Sequence, residues 1–410
     1  MTAAAHAPDI ARSPLHAHSA VEALDLDLSL IETRAGFDRL EEEWNALFER
    51  SASGSQIFQT FNWNWHWANH YLPESPGGLE GLRLSIITGR RDGRLVMVWP
   101  LVSQRLRGIT QIFWMGEPVS QYGDVLIDNI GDAKNVLRAG WNFLSRTIKA
   151  DLVRLRRVRA DANVASILRE TGATVTDRQV APYLDIASAK SFAEYEQRYS
   201  PRSRRNRRRL ARRLEELGGM RFERHKGGMD ARALAEKALD LKAEWLKDRG
   251  LVSGAIGDSR MRRFFGDIAE ARERPADCVV AALYAENEPA ALDVSFLCKG
   301  RLAMHVIVFN LKYEKSGAGV LLLEESFRNA YKDSIAVYDM LAPGDKYKID
   351  WADGTVEVLD WARPFSVSGY AYARLYLGFL RARAKAAIGA MPERLRRVLT
   401  SGYATTANVN

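Results

Sequence analysis

Cysteine and histidine are scarce in this sequence, at 2 and 7 of 410 residues. Two thiols close one disulfide at most, so no disulfide framework holds the chain. Both cysteines, Cys278 and Cys298, fall in apolar stretches that read as strands. Buried strand thiols in a chain with no export signal point to a reducing cytoplasm. Long apolar runs are missing too: none approaches the ~20 residues a spanning helix needs. The opening MTAAAHAPDIARSPLHAHSA has no basic stretch followed by a continuous apolar run, so it does not read as a signal peptide. Residues 1–27 are expected to be a disordered Ala/His tail. His6, His16 and His18 have no Cys or acidic cluster beside them, so no metal site is assigned. There is no Gly-x-Ser-x-Gly, no Walker loop and no metal-ligand spacing, which removes serine-hydrolase, P-loop and metal-dependent chemistry.

What is present is an ordinary globular composition, 47% hydrophobic and 27% charged, with a net charge of +8. The charge is uneven: nine arginines lie between Arg198 and Arg213. Ser200-Pro201 reads as a helix N-cap and first turn, and Gly218-Gly219 as its stop. Leu210, Leu214 and Leu217 make a narrow apolar stripe, with arginines over the rest. Nucleic acid fits poorly, because no aromatics interleave to stack bases and no helix-turn-helix or zinc-finger spacing lies nearby. The first reading is a solvated helix linking two domains. The second is a surface for an anionic substrate or headgroup.

Before this helix the pattern is α/β. Helix-period apolar positions (Phe37, Leu40, Trp44, Leu47) follow a short strand. An aromatic helix over 62–71 reads as buried against a sheet. A hairpin over 82–104 turns at Asp92-Gly93, and Pro100 marks an edge or bulge in its second strand. After the helix come two more helices (230–274), a meander of three strands, and the stretch Leu302–Met340.

That stretch reads as strand (LAMHVIVF), loop (NLKYEKSGAG), helix (VLLLEESFRNAYKD) and strand (SIAVYDM). A helix N-terminus presents free N–H groups and favours negative charge, and glycine lets a backbone approach a pyrophosphate. The loop Glu314-Lys315-Ser316-Gly317-Ala318-Gly319 resembles the acyl-CoA loop of GNAT acetyltransferases, Gln/Arg-x-x-Gly-x-Gly/Ala, with Glu314 at the first position. The element order over 230–350 is also that of the GNAT fold. Asp339, Tyr347, Lys348 and Trp351 resemble the signature after the fifth strand of the CelD/BcsL-type acetyltransferases, linked to cellulose and exopolysaccharide production. Ala342-Pro343-Gly344 stands where that signature has Arg-Gly-Asp. The family is similar to the Fem-type aminoacyl transferases in having two GNAT-like halves.

The resemblance implies an α/β fold of two tandem GNAT-like domains, each a mixed, mostly antiparallel sheet flanked by helices. The expected division is tail 1–27, degenerate GNAT-like domain 28–190, arginine-rich linker helix 191–220, acyltransferase domain 221–362, and basic amphipathic C-terminal helices 363–410. It implies an N-acyltransferase with no permanently bound cofactor and acyl-CoA, foremost acetyl-CoA, as donor. Lys315, Gly317, Ala318, Gly319 and Val320 would hold the pyrophosphate. His305, whose unperturbed pKa lies near neutrality, and Asp339 are the two readings for the base, while Tyr347, Lys348 and Tyr338 would bind the acceptor or protonate the leaving thiolate. Asp293 is a weaker choice. The acceptor stays open between an amino sugar of an envelope polysaccharide and a lipid amine such as a sphingoid base. A non-catalytic basic binding module is the third reading. Tyr372, Leu375, Tyr376, Phe379 and Leu380 among Arg374, Arg381, Arg383 and Lys385 read first as a helix docked on its own domain and second as an interfacial helix in peripheral contact with an anionic membrane.

Overall fold

A computed structural model describes residues 25–380 and 383, apart from 74–80, 107, 252, 273–276 and 334. Nearly all of the expected N-terminal tail and most of the basic C-terminal stretch lie outside these residues. So do the side chains of Tyr376, Phe379 and Leu380.

The first half runs β1 (Asp27–Ile31), α1 (Arg34–Asp38), α2 (Glu41–Ser51), α3 (Phe61–Tyr71), β2 (Arg83–Leu84), β3 (Ile86–Arg91), β4 (Arg94–Trp99), β5 (Leu101–Leu106), β6 (Ile109–Trp114) and β7 (Leu126–Ile127). It continues with α4 (Ala133–Thr147), β8 (Leu152–Arg159), α5 (Asn163–Glu170) and β9 (Thr174–Asp185). Then come α6 (Phe192–Glu196), α7 (Pro201–Glu215), β10 (Met220–His225), α8 (Gly228–Asp248), α9 (Ser259–Glu270), β11 (Asp277–Ala285), β12 (Glu288–Cys298) and β13 (Arg301–Phe309). Next come α10 (Ala318–Lys332), β14 (Val337–Asp339), α11 (Lys346–Trp351), β15 (Gly354–Pro364) and α12 (Val367–Ala371), which runs on into a π-helix at Tyr372–Leu380.

Local chemistry sets many of these boundaries. Ser200 caps α7 by accepting from Ser203 N, and Pro201 opens its first turn. Asp92 and Gly93 turn the β3–β4 hairpin with φ of 51° and 75°, the left-handed pair a tight hairpin requires. Pro100 is neither an edge position nor a bulge. It lies where the chain leaves a four-stranded sheet (β1-β3-β4-β7) and enters an eleven-stranded one at β5. Proline has no N–H to give to a ladder, and at this crossing no ladder needs one.

The large sheet has the order β10-β11-β12-β13-β14-β9-β15-β8-β6-β5-β2. It passes without a break from the second half into the first, because β14 pairs with β9. β15, the last strand among the described residues, lies between β8 and β9 and pairs with both. The halves also share a core. Trp63 of α3 is 1% exposed. Its ring centroid lies 4.9 Å from Phe58, 5.0 Å from Phe264 of α9 and 4.9 Å from Phe296 of β12. The aromatic helix is therefore buried, as expected, and part of what it packs on, α9 and β12, belongs to the other half.

The arginine-rich helix is docked and not a free span. Arg207 of α7 is 4% exposed, ion-paired with Glu324 of α10 at 2.9 Å and with Glu196 of α6 at 3.3 Å. Its guanidinium lies 5.0 Å from the Tyr199 ring and 4.9 Å from the Trp351 ring. A desolvated arginine needs such partners, and two carboxylates with two aromatic faces supply them.

Candidate active site

β13 and β14 are paired only where Arg301–Ala303 meets Val337–Asp339. β13 runs on to Phe309 while β14 has ended, so a wedge opens between them. The β12–β13 register shifts here: Val294 faces Val306 and Ser295 faces Met304, leaving His305 as the extra residue of a bulge.

Ring centroids of Phe265, Phe58, Trp63 and Phe296 surround His305 at 4.8–5.9 Å. Burial pushes its pKa down to about 4. The neutral ring lies with Nε2 2.6 Å from the Val119 carbonyl, so Nε2 carries the proton and donates. Nδ1 is then a lone-pair acceptor, sealed from solvent and without a hydrogen-bond partner.

One wall of the wedge leads to the glycine loop. Leu311–Ser316 forms a 3-10 helix and Gly317 sits at φ 70°, so α10 starts abruptly at Ala318. Two of the expected pyrophosphate amides are spent inside the turn: Gly317 N–H donates to Glu314 O at 3.1 Å and Val320 N–H to Gly317 O at 3.0 Å. Ala318 and Gly319 are the first two residues of the helix, whose N–H groups have no helical carbonyl behind them. Glu314 is turned into an ion pair with Arg249 at 2.6 Å, whose guanidinium lies over the Trp245 ring at 4.2 Å, so its charge is met away from the helix end. Lys315 is exposed, and its carbonyl accepts from Arg213 Nη1 at 3.0 Å.

The two glycines serve different ends. A Cβ on Gly317 would meet Leu210 Cδ1 of α7 at 2.7 Å, besides straining a left-handed backbone, whereas a Cβ on Gly319 would meet Phe309 Cδ1 at 3.2 Å. Gly317→Val is therefore expected to cost about 2 kcal/mol of stability through strain and overpacking. Gly319→Ala is expected to fold with a near wild-type Tm and to weaken acyl-CoA binding. Thermal melts beside calorimetric titration check both, and full donor affinity in Gly319→Ala would remove Gly319 from the site.

The opposite wall is cationic. Lys348 of α11 is 7% exposed, and its Nζ donates to Leu341 O at 3.1 Å. Burial pushes its pKa down to about 8; Lys242 and Arg157 act in the same direction, while Asp345 and Asp339 oppose them. Lys242 of α8 donates to Ile307 O at 3.3 Å, and burial lowers its pKa too. Tyr347 is 39% exposed, with its pKa raised by burial and by Asp345. Sequence reading missed Lys242 and Arg157. Lys242 had a signal: a lysine one turn after Ala238 on the apolar stripe that Trp245 continues. Arg157 had none; it lies in β8 with a left-handed φ of 55°.

Asp339 is 1% exposed and fully engaged. Oδ1 accepts from Tyr122 Oη at 2.9 Å and Leu341 N at 3.0 Å; Oδ2 accepts from Arg301 at 2.9 Å and Arg159 at 3.4 Å. Tyr122 and Arg159 belong to the first half, so this carboxylate joins the halves at the base of the wedge. Tyr338 is turned elsewhere: its hydroxyl donates to Asp293 at 3.0 Å, and burial pushes the Asp293 pKa up to about 7.

Tyr122 and Arg159 also form one side of a cavity of about 540 Å³ in the first half. It lies at the N-terminal ends of α4 and α5, between β7 of the four-stranded sheet and the end of β8 in the large one. Its other lining groups include Ser53, Ser55, Gln59, Asp161 and Asn163. Asp161 is ion-paired with Arg159 at 2.9 Å. Gln59 is 3% exposed and donates to Tyr122 O at 2.9 Å, while its Oε1 has no hydrogen-bond partner. Hydroxyls, amides and neutralised carboxylates thus line this space.

Residues 201–349 match the family model of the acetyltransferase (GNAT) domain. No curated protein matches the chain. Among solved structures, the chain is similar to FemX, with a TM-score of 0.55 and 11% identity over 82% of this chain and 98% of that one. It is likewise similar to a conserved protein of unknown function from Bacteroides thetaiotaomicron, with a TM-score of 0.50 and 11% identity over 82% of this chain and 100% of that one. At such identities these likenesses speak for the fold. The domain match covers the wedge, the glycine loop and Lys348, so residues 201–349 carry an acetyltransferase (GNAT) domain, which makes the protein an acyltransferase, and the likeness to FemX shows a mixed α/β fold of two tandem GNAT-like halves.

Proposed function

We propose that the protein transfers an acetyl group from acetyl-CoA to the amine of an amino sugar, in an envelope polysaccharide or its lipid-linked precursor. The observation that carries this reading is the cavity of about 540 Å³ in the first half. Its hydroxyl and amide lining suits an uncharged polyhydroxylated ring, and a chain of hydrogen bonds from Tyr122 through Asp339 and Leu341 to Lys348 links its wall to the wedge. The match of Asp339, Tyr347, Lys348 and Trp351 to the CelD/BcsL-type signature supports the same acceptor class. In this reading the second half holds the donor and the first half the acceptor.

The donor's pyrophosphate lies on the Ala318 and Gly319 amides, in the turn set by Gly317 and Val320, with Lys315 adding charge. Its thioester enters the wedge. Lys348, with a pKa near 8, takes a proton from the acceptor ammonium. The freed amine attacks the thioester carbonyl and the C–N bond forms; the nitrogen gives its second proton to water, the C–S bond breaks, and the thiolate takes the first proton back from Lys348. Holding both reactants in one wedge supplies much of the acceleration. Asp339 fixes the wedge's geometry, Tyr347 contacts the acceptor, and His305, at a pKa of about 4, stays neutral and positions the first half.

A second reading, N-acylation of a lipid amine by a long-chain acyl-CoA, draws on the apolar exposure beyond β15. Val367 is 88%, Tyr370 54% and Leu375 62% exposed. Arg374 and Arg383 lie nearby in the chain. In this reading the protein works as a peripheral protein at the inner face of the cytoplasmic membrane; no helix among the described residues is long and apolar enough to cross one.

Calorimetry with CoA, acetyl-CoA and palmitoyl-CoA, followed by thiol-release assays with glucosamine oligomers and sphingosine, separates the two. The sugar reading expects acetyl-CoA binding with no gain from the long chain, and turnover with the aminoglycan. A large gain from palmitoyl-CoA with turnover only on sphingosine overturns it in favour of the lipid amine.

A further inference from the structure

α7 carries eight arginines, of which Arg207 is the buried anchor. The other seven form no ion pair with a carboxylate among the described residues. They are also crowded: Arg204 and Arg208, Arg205 and Arg209, Arg208 and Arg212, and Arg209 and Arg213 stand four apart, spacings at which like charges repel across one helical turn. A helix built against its own electrostatics is stabilised by an anion laid along it.

Two contacts tie this row to the glycine loop. Leu210 fills the space beside Gly317, at 2.7 Å from where its Cβ would be, and Arg213 donates to the carbonyl of Lys315 at 3.0 Å. Arg209 lies one turn before Arg213 on the same side of the helix. It is exposed, and its guanidinium is held by Asn206 Oδ1 at 2.9 Å. Glu314, the one carboxylate of the loop, is already neutralised by Arg249.

We infer that α7 is the binding surface for the nucleotide end of the CoA donor, with Arg209 and Arg213 taking its 3′-phosphate. The inference rests on the glycine loop holding the donor's pyrophosphate. A phosphate monoester one ribose away from that pyrophosphate presents the oxygen fork that guanidinium groups match in two parallel hydrogen bonds. The helix thus discriminates CoA from carriers lacking that phosphate, and the affinity falls as salt screens exposed arginines.

The test is calorimetric titration of the full chain with CoA and 3′-dephospho-CoA, for the wild type, Arg209→Gln and the Arg209→Gln/Arg213→Gln pair. The wild type is expected to prefer CoA by about tenfold or more, the magnitude of a charge-assisted hydrogen bond. Arg209→Gln should remove most of that preference and the pair all of it, with 3′-dephospho-CoA affinity held within about twofold. Arg209→Gln is the decisive variant because it leaves the Arg213–Lys315 contact in place. Equal loss for both ligands, or an undiminished preference, overturns the inference. So does an unchanged CoA preference with lost sedimentation on phosphatidylglycerol vesicles, which would make α7 a headgroup surface. If neither ligand binds the wild type while it folds normally, the donor-site reading itself fails.

Discussion

Lys348→Met is expected to lower kcat by about 10²-fold or more, the usual contribution of a positioned acid–base group. Acyl-CoA affinity should change little, because Lys348 lies across the wedge from the glycine loop. The pH profile is the sharper readout. Burial holds Lys348 at about 8, so its neutral, proton-accepting form grows as pH rises through that value. Wild-type kcat/KM should rise on the same limb and level off above it, and the variant should lose the limb. Met keeps the side-chain volume and removes a charge that is costly to bury, so the fold should be retained. A variant that turns over slowly yet keeps the wild-type limb would assign the proton transfer to another group, with Lys242 next in line.

Asp339→Asn should act on stability first. The carboxylate meets Arg159, 6% exposed at its side chain, and Arg301, 21% exposed. Removing its charge leaves buried Arg159 with Asp161 as its one carboxylate and takes the carboxylate from Arg301, a loss of about 3 kcal/mol, at the low end for a broken buried pair because Arg159 keeps Asp161 and Arg301 reaches water. Tyr122→Phe deletes one neutral donor from the same carboxylate and should cost only about 1 kcal/mol. Chemical denaturation with acyl-CoA titration distinguishes the roles. A fully stable Asp339→Asn with abolished turnover would restore Asp339 as the base and sink the positioning role argued for it.

The period-2 alternation of β13, the glycines before α10 and the Ser200-Pro201 cap were legible, because each is written in adjacent residues. What adjacent residues cannot encode is partnership. Alternation reports that a strand has two faces and is silent on which edge it joins, so β15 between β8 and β9 was unreadable. Pro100 gave a break and not its cause, the crossing between sheets. The arginines of α7 were visible, but Arg207 differs from its neighbours only through Glu196 and Glu324, one of them far along the chain. The aromatic cage of His305 draws on α9, β12 and the segment around α3, and it is this assembly that moves a neutral-range imidazole to about 4.

The placement of β15 has a consequence for how the chain is made. During synthesis β8 and β9 leave the ribosome long before the strand that must lie between them. Until then the first half holds a gap with two unsatisfied inner edges, the kind of surface that invites wrong pairing. Completion therefore awaits the synthesis of β15, and closure over so long a sequence separation is slow. The first half is not a detachable module: cut before β15, it loses the strand that lies between β8 and β9.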